Sequence, residues 1–219
     1  MNTNDFSPSS AARAARVAVL ALAAATVLPA CAPVLVGGAM VGGALASVDR
    51  RTAGTQVEDQ SIELKGAARV RELTGDQANV SVTSYNRVVL LTGEVPDAAA
   101  RSTVEQAIGR IEGVRSVVNE LAVMGKTTLT ARSNDAVLSA RVKAGFIDAK
   151  DLQVNTIKVT TERGVVHLMG RVTEREAARA VAVARSVPGV QKVVRVFEIL
   201  TDAQLAELLN SSGQQAPKK

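Results

Sequence analysis

The sequence predicts an α+β chain of two tandem small domains, each running α-β-β-α-β with a three-stranded mixed sheet packed by two helices. Two observations carry that prediction. An apolar strand pattern ending in glycine occurs twice, as Asn86-Arg87-Val88-Val89-Leu90-Leu91-Thr92-Gly93-Glu94-Val95 and Arg163-Gly164-Val165-Val166-His167-Leu168-Met169-Gly170-Arg171-Val172. The copies are 77 residues apart, and the likeness extends on both sides of the motif. Asn79–Thr83 matches Thr156–Thr160 at the same offset, and Gly113-Val114 matches Gly189-Val190 at an offset of 76. A strand, helix, glycine turn and strand repeated in one order mark two homologous folding units.

Each element follows from local pattern. In the first copy, Ile62, Gly66, Val70 and Leu73 recur on one face of a helix, and Gly75-Asp76 ends it. Strands are expected at about 79–84 and 87–94, joined by a turn at Ser84-Tyr85-Asn86-Arg87. A second helix opens at Pro96-Asp97 and turns Ala100, Val104, Ala107, Ile108 and Ile111 inward. Glu112-Gly113-Val114 leads to a third strand ending near Val123.

The second copy repeats the plan. Its first helix, expected over 134–147, buries Leu138, Val142 and Phe146, and strands follow near 154–161 and 164–170. Thr173-Glu174-Arg175-Glu176 is a capping-box pattern that starts a helix burying Ala177, Val181 and Ala184. Pro188-Gly189-Val190 stops that helix, and the last strand runs to about Leu200. Gly93, Gly170, Gly113 and Gly189 are structural glycines at strand ends and turns.

The N-terminal region reads as a targeting segment. Arg13 and Arg16 precede an apolar stretch from Val17 to Leu28, too short for an ordinary membrane-spanning helix, which needs about 20 residues. Leu28-Pro29-Ala30-Cys31 follows and resembles a bacterial lipobox, with Pro29 a departure from its commonest form. Cys31 is the only cysteine, so no intramolecular disulfide can form, and it is the expected acyl-bearing residue. Residues 1–30 are then a lipoprotein signal peptide, 31–57 a Gly/Ala-rich lipidated tether, 58–125 and 126–200 the two domains, and 201–219 a short helix and disordered tail.

Charge divides the copies. Residues 58–125 hold seven Lys/Arg and ten Asp/Glu, a net −3, while 126–200 hold thirteen and seven, a net +6. The uneven charge reads either as drift of solvated surface or as an anionic partner met by the second copy alone. On the second copy's first helix, Arg141, Lys143, Ala144, Ile147 and, just beyond, Lys150 fall opposite or beside the buried stripe. Cations mixed with exposed apolar residues suit contact with anionic phospholipid. Glu58, Asp59, Glu63 and Glu72 on the corresponding first-copy helix would be repelled by such a surface.

Little in the chain suggests catalysis. His167 is the only histidine and sits mid-strand with no nucleophile elbow. No phosphate-loop pattern follows Gly93 or Gly170, and no metal ligand set or cofactor motif is present. Asp97, Glu105, Glu174 and Glu176 read as caps and solvated helix positions. The chain has no Trp and only 2% aromatic residues, so no stacking platform accompanies the basic copy and nucleic acid is not an expected partner.

With these motifs laid out, the chain resembles the dual BON-domain lipoproteins, over about residues 58–200. The strand-Gly-x-Val motifs with Gly113-Val114 and Gly189-Val190 carry that resemblance. It implies a non-enzymatic binding module anchored in the outer membrane and facing the periplasm. It also implies that the second domain holds anionic phospholipid and that the protein supports envelope integrity, with envelope proteins as further partners. A periplasmic scaffold that recruits envelope-assembly proteins is the alternative.

Overall fold

The computed structural model describes residues 49–211. The signal peptide, Cys31, most of the tether and the C-terminal tail lie outside the described residues. Two α/β units with mixed sheets follow one another. The first contains α1 (Ala53–Thr74), β1 (Asn79–Tyr85), β2 (Val88–Val95), α2 (Ala98–Gly109), β3 (Ser116–Asn119) and β4 (Ala122–Val123). The second contains α3 (Leu129–Asp148), β5 (Ile157–Glu162), β6 (Val165–Thr173), α4 (Glu174–Ser186) and β7 (Lys192–Leu200), and α5 (Asp202–Ser211) follows.

In both sheets a hairpin pairs antiparallel and the last strand adds parallel to the central one, giving the orders β1-β2-β3 and β5-β6-β7. The expected single third strand of the first copy is instead broken. Glu120 donates its N–H to the Leu91 carbonyl, and Leu121 turns into the core before β4 resumes pairing with β2. β7 runs through nine residues without such a break.

Two helices begin earlier than apolar periodicity suggested. Thr52 and Thr128 cap α1 and α3, their hydroxyls accepting from the N–H of Thr55 and Ala131. Residues 53–57 and 129–131, read from the sequence as linker, are therefore helical. The strands also continue through their glycines, to Val95 and Thr173. At Gly93, where φ is +112°, a Cβ would clash with the Asn79 carbonyl oxygen, and at Gly170 with that of Thr156. Close approach of the neighbouring strand, rather than strand termination, accounts for both glycines. Gly113 and Gly189 occupy the turns after α2 and α4.

Helices cover one face of each sheet. Val89, Leu91 and Val95 pack with Ile62, Val70, Val104 and Ile108 in the first core. Val166, Leu168 and Val172 pack with Val142, Phe146, Ala177 and Ala184 in the second. Leu73, expected in the first core, is partly exposed at the end of α1.

The opposite faces of the sheets meet each other. Tyr85, Leu90 and Met169 form a shared apolar cluster with Val88, Val118 and Val196. Around it, Tyr85 Oη donates to the Thr156 carbonyl at 3.2 Å, Lys158 pairs with Glu63 at 2.6 Å, and Arg163 pairs with Glu94 at 2.8 Å. The layers therefore run helix, sheet, sheet, helix, with the helical faces of the two domains pointing in opposite directions.

Candidate functional site

The buried stripe of α3 is Asp135, Leu138, Val142 and Phe146. Its opposite side is open. Leu129, Ala136, Ala140, Ala144 and Ile147 follow one another along it and are all exposed, as is Val137 beside them. Leu129 is 74% exposed, Val137 51% and Ile147 67%. Arg132 and Lys143 flank this apolar strip on one side and Arg141 on the other. Lys150 is exposed just past the helix end. Among the described residues, Arg132, Arg141, Lys143 and Lys150 are exposed and form no ion pair, although Arg132 lies near enough to Glu162 to act on its carboxyl. The five residues singled out in the sequence thus share one exposed surface, and Leu129, Val137 and Arg132 extend it. A helix apolar on both sides, with cations along its outer edges, can bury its inner stripe in protein and offer its outer one to an interface.

The helix is held by an interaction absent from the sequence reading. The Asp135 carboxylate accepts the N–H groups of Arg163 and Gly164 at 2.8 Å each, pinning the β5–β6 turn to α3. Arg163 and Gly164 both take left-handed angles there, at 50° and 71°, as a two-residue hairpin turn requires. Asp59 does the same in the first copy. Its carboxylate accepts from Asn86 N–H at 2.8 Å and Arg87 N–H at 2.7 Å, and also from the Ser84 hydroxyl and Arg51 at 2.7 Å each. Burial alone would raise the Asp59 carboxyl, but these four donors outweigh it and hold the group below the ordinary carboxylate range. The signal was present in the sequence: each Asp stands three residues before the first apolar member of its helix's buried stripe.

Two of the four first-copy acids, Asp59 and Glu63, are not the open negative surface expected, whereas Glu58 and Glu72 stay exposed in surface pairs. Asp59 is buried, Glu63 joins Lys158 across the domain boundary, Glu58 pairs with Arg87 at 3.6 Å and Glu72 with Arg69 at 2.7 Å. Glu176 is likewise not solvated. It completes the capping box of α4 and receives both ends of the Arg50 guanidinium, at 2.7 and 2.8 Å. His167, at 2% exposure, faces the other domain, with the Glu120 carboxylate 3.9 Å away. Burial lowers the imidazole pKa against the opposing pull of Glu120, which favours the neutral ring. Among the described residues, no hydroxyl or thiol nucleophile is hydrogen-bonded to it.

Among the described residues no group of His, Cys, Asp or Glu could hold a metal ion, and no helix is long and apolar enough to cross a membrane.

The BON domain family model matches residues 55–125 and 134–201. The outer membrane lipoprotein DolP of Haemophilus influenzae is 36% identical over 188 residues, covering 84% of this chain and 96% of that protein. The 21 kDa hemolysin of Actinobacillus pleuropneumoniae is 32% identical over 152 residues, covering 68% and 78%. Osmotically-inducible protein Y of Escherichia coli is 28% identical over 144 residues, covering 64% and 72%. The chain belongs to the BON-domain family, carries the domain twice, and is related to outer-membrane lipoproteins of the DolP kind.

Proposed function

We propose that this is a lipid-anchored envelope protein that binds anionic phospholipid through the outer face of α3 and so supports outer-membrane integrity. The observation that supports the reading is the exposed strip of Leu129, Val137, Ala144 and Ile147 bordered by the unpaired cations Arg132, Arg141, Lys143 and Lys150. Apolar side chains would enter the region of the acyl chains while the cations meet headgroup phosphates. Each cation near an anionic bilayer contributes about 1 kcal/mol. The likeness to an outer membrane lipoprotein over most of both chains supports the location, with Cys31 as the acylated residue.

The binding test uses chain carrying Cys31→Ser, which removes the acyl contribution. It should bind vesicles containing phosphatidylglycerol, release them as salt rises, and ignore purely zwitterionic vesicles. Arg141→Glu with Lys143→Glu should weaken that binding more than about tenfold without unfolding the protein, since both side chains are exposed. Equal binding to both vesicle types would reject the lipid reading and favour a protein-binding scaffold. The anchor is tested separately. Wild-type chain should incorporate labelled acyl groups and fractionate with the outer membrane, and Cys31→Ser should do neither.

A further inference from the structure

The first domain holds a feature that the lipid reading does not use. A groove of about 420 Å³ runs between α1 and α2 and is lined by Lys65, Arg69 and Arg110, with Thr103, Gln106 and the apolar Leu73. No carboxylate lines it. Lys65 and Arg110 form no ion pair among the described residues, and Arg69 meets Glu72 only in an exposed pair, which holds it weakly. Three cations therefore converge on one concavity in the copy whose net charge is negative.

The fold itself does not demand this groove. With the N-caps Asp97 and Thr173 and the turns after α2 and α4 aligned, the second copy has Gly145, Ala182 and Ser186 at the positions of Arg69, Gln106 and Arg110, and Val183 and Val187 at those of Ala107 and Ile111. There the helices close on each other, and a Cβ on Gly145 would sit only 3.1 Å from Val183 Cγ1. Val183 and Val187 pack on the core. The first copy thus has Arg69 and Ala107 where the second has the close Gly145–Val183 contact, and Gln106 and Arg110 where it has the small Ala182 and Ser186, leaving a polar opening.

We propose that this groove is a binding site for a soluble phosphate-bearing ligand. Guanidinium forks and a lysine suit a doubly charged tetrahedral oxyanion better than a lone carboxylate. The Thr103 hydroxyl and Gln106 amide add neutral donors, and Leu73 offers apolar contact to an organic substituent. A soluble source is favoured because the helices of the two domains face opposite ways. With α3 against a bilayer the groove would look away from it, and this choice of source rests on the function proposed above.

The test is a titration of the full chain carrying Cys31→Ser, in buffer free of phosphate, with inorganic phosphate and with glycerol 3-phosphate. Binding is followed by calorimetry and by amide NMR shifts. Saturable binding should move the amides of Lys65, Arg69 and Arg110. Lys65→Gln with Arg110→Gln should weaken it about tenfold or more at unchanged thermal stability, because both residues are exposed. Arg141→Glu with Lys143→Glu should leave it intact, which separates this site from the lipid-facing helix. Absence of saturable binding, or equal binding by the Lys65/Arg110 variant, would overturn the proposal. So would binding confined to phosphatidylglycerol vesicles.

Discussion

Helices α1 and α3 fill the same place in the two domains, and they differ in what their charged side chains touch. On α1 two of the four acids are held within the protein, Asp59 by the hairpin turn and Glu63 by Lys158, while Glu58 and Glu72 meet Arg87 and Arg69 only in exposed pairs. On α3 only Asp135 is held in that manner, while Arg132, Arg141 and Lys143 have no ion-pair partner among the described residues. Net charge alone would describe the first copy as an acidic surface and the second as a basic one. The contacts describe a first helix whose Asp59 and Glu63 join parts of the molecule together and a third helix whose Arg132, Arg141 and Lys143 remain available to a partner.

Disrupting what the copies share should have the largest effect. Gly93→Ala and Gly170→Ala each force a methyl group into a neighbouring carbonyl, and each should cost at least about 3 kcal/mol in chemical denaturation. Asp59→Ala and Asp135→Ala come next. Both orphan hairpin N–H groups, but the first also strands the Ser84 hydroxyl and removes one of the two carboxylates that Arg51 meets, leaving it Asp49. It should cost about 3 kcal/mol against about 2 for the second. Equal losses would mean that the extra donors contribute nothing.

A smaller effect distinguishes the copies by pH. Glu162 occupies the position of Tyr85 in the repeat. Burial, followed by the nearby Glu94 and Asp135 charges, pushes its carboxyl up to about 7. A carboxyl raised on folding stabilises the fold fully below its unfolded pKa, and that contribution is lost as pH rises through 7. Glu162→Gln should therefore match wild type near pH 4 and exceed it by about 2 kcal/mol near pH 8, read from denaturation at each pH. A constant difference across that range would rule out titration of Glu162 as the cause.

Much of this fold is legible in the sequence, because branched apolar strands and helical stripes repeat at a fixed offset. The inward positions Val104, Leu138, Val142 and Phe146 follow directly from that periodicity. Helix starts were harder to place, since Thr52 and Thr128 precede several polar residues rather than an apolar run. The packing of sheet on sheet had a weaker signal. Val88-Val89-Leu90-Leu91 is apolar on both faces, as a strand covered on both sides should be, but nothing in that run says what covers the second face. The outer strip of α3 was only partly visible, because Leu129 lay in what read as linker. The α1–α2 groove was hidden because it depends on how far apart two helices settle.

The second domain, and not the first, is expected to meet lipid through its outer helix. The chain lacks tryptophan, so one introduced tryptophan is a clean reporter. Ile147→Trp on α3 and Leu64→Trp on α1 compare positions of nearly equal exposure, 67% and 69%. Added phosphatidylglycerol vesicles should shift the emission of the Ile147→Trp chain to the blue and shield its indole from aqueous quencher, while the Leu64→Trp chain stays unchanged. Unchanged emission from the Ile147→Trp chain, or an equal shift in both variants, would contradict the account.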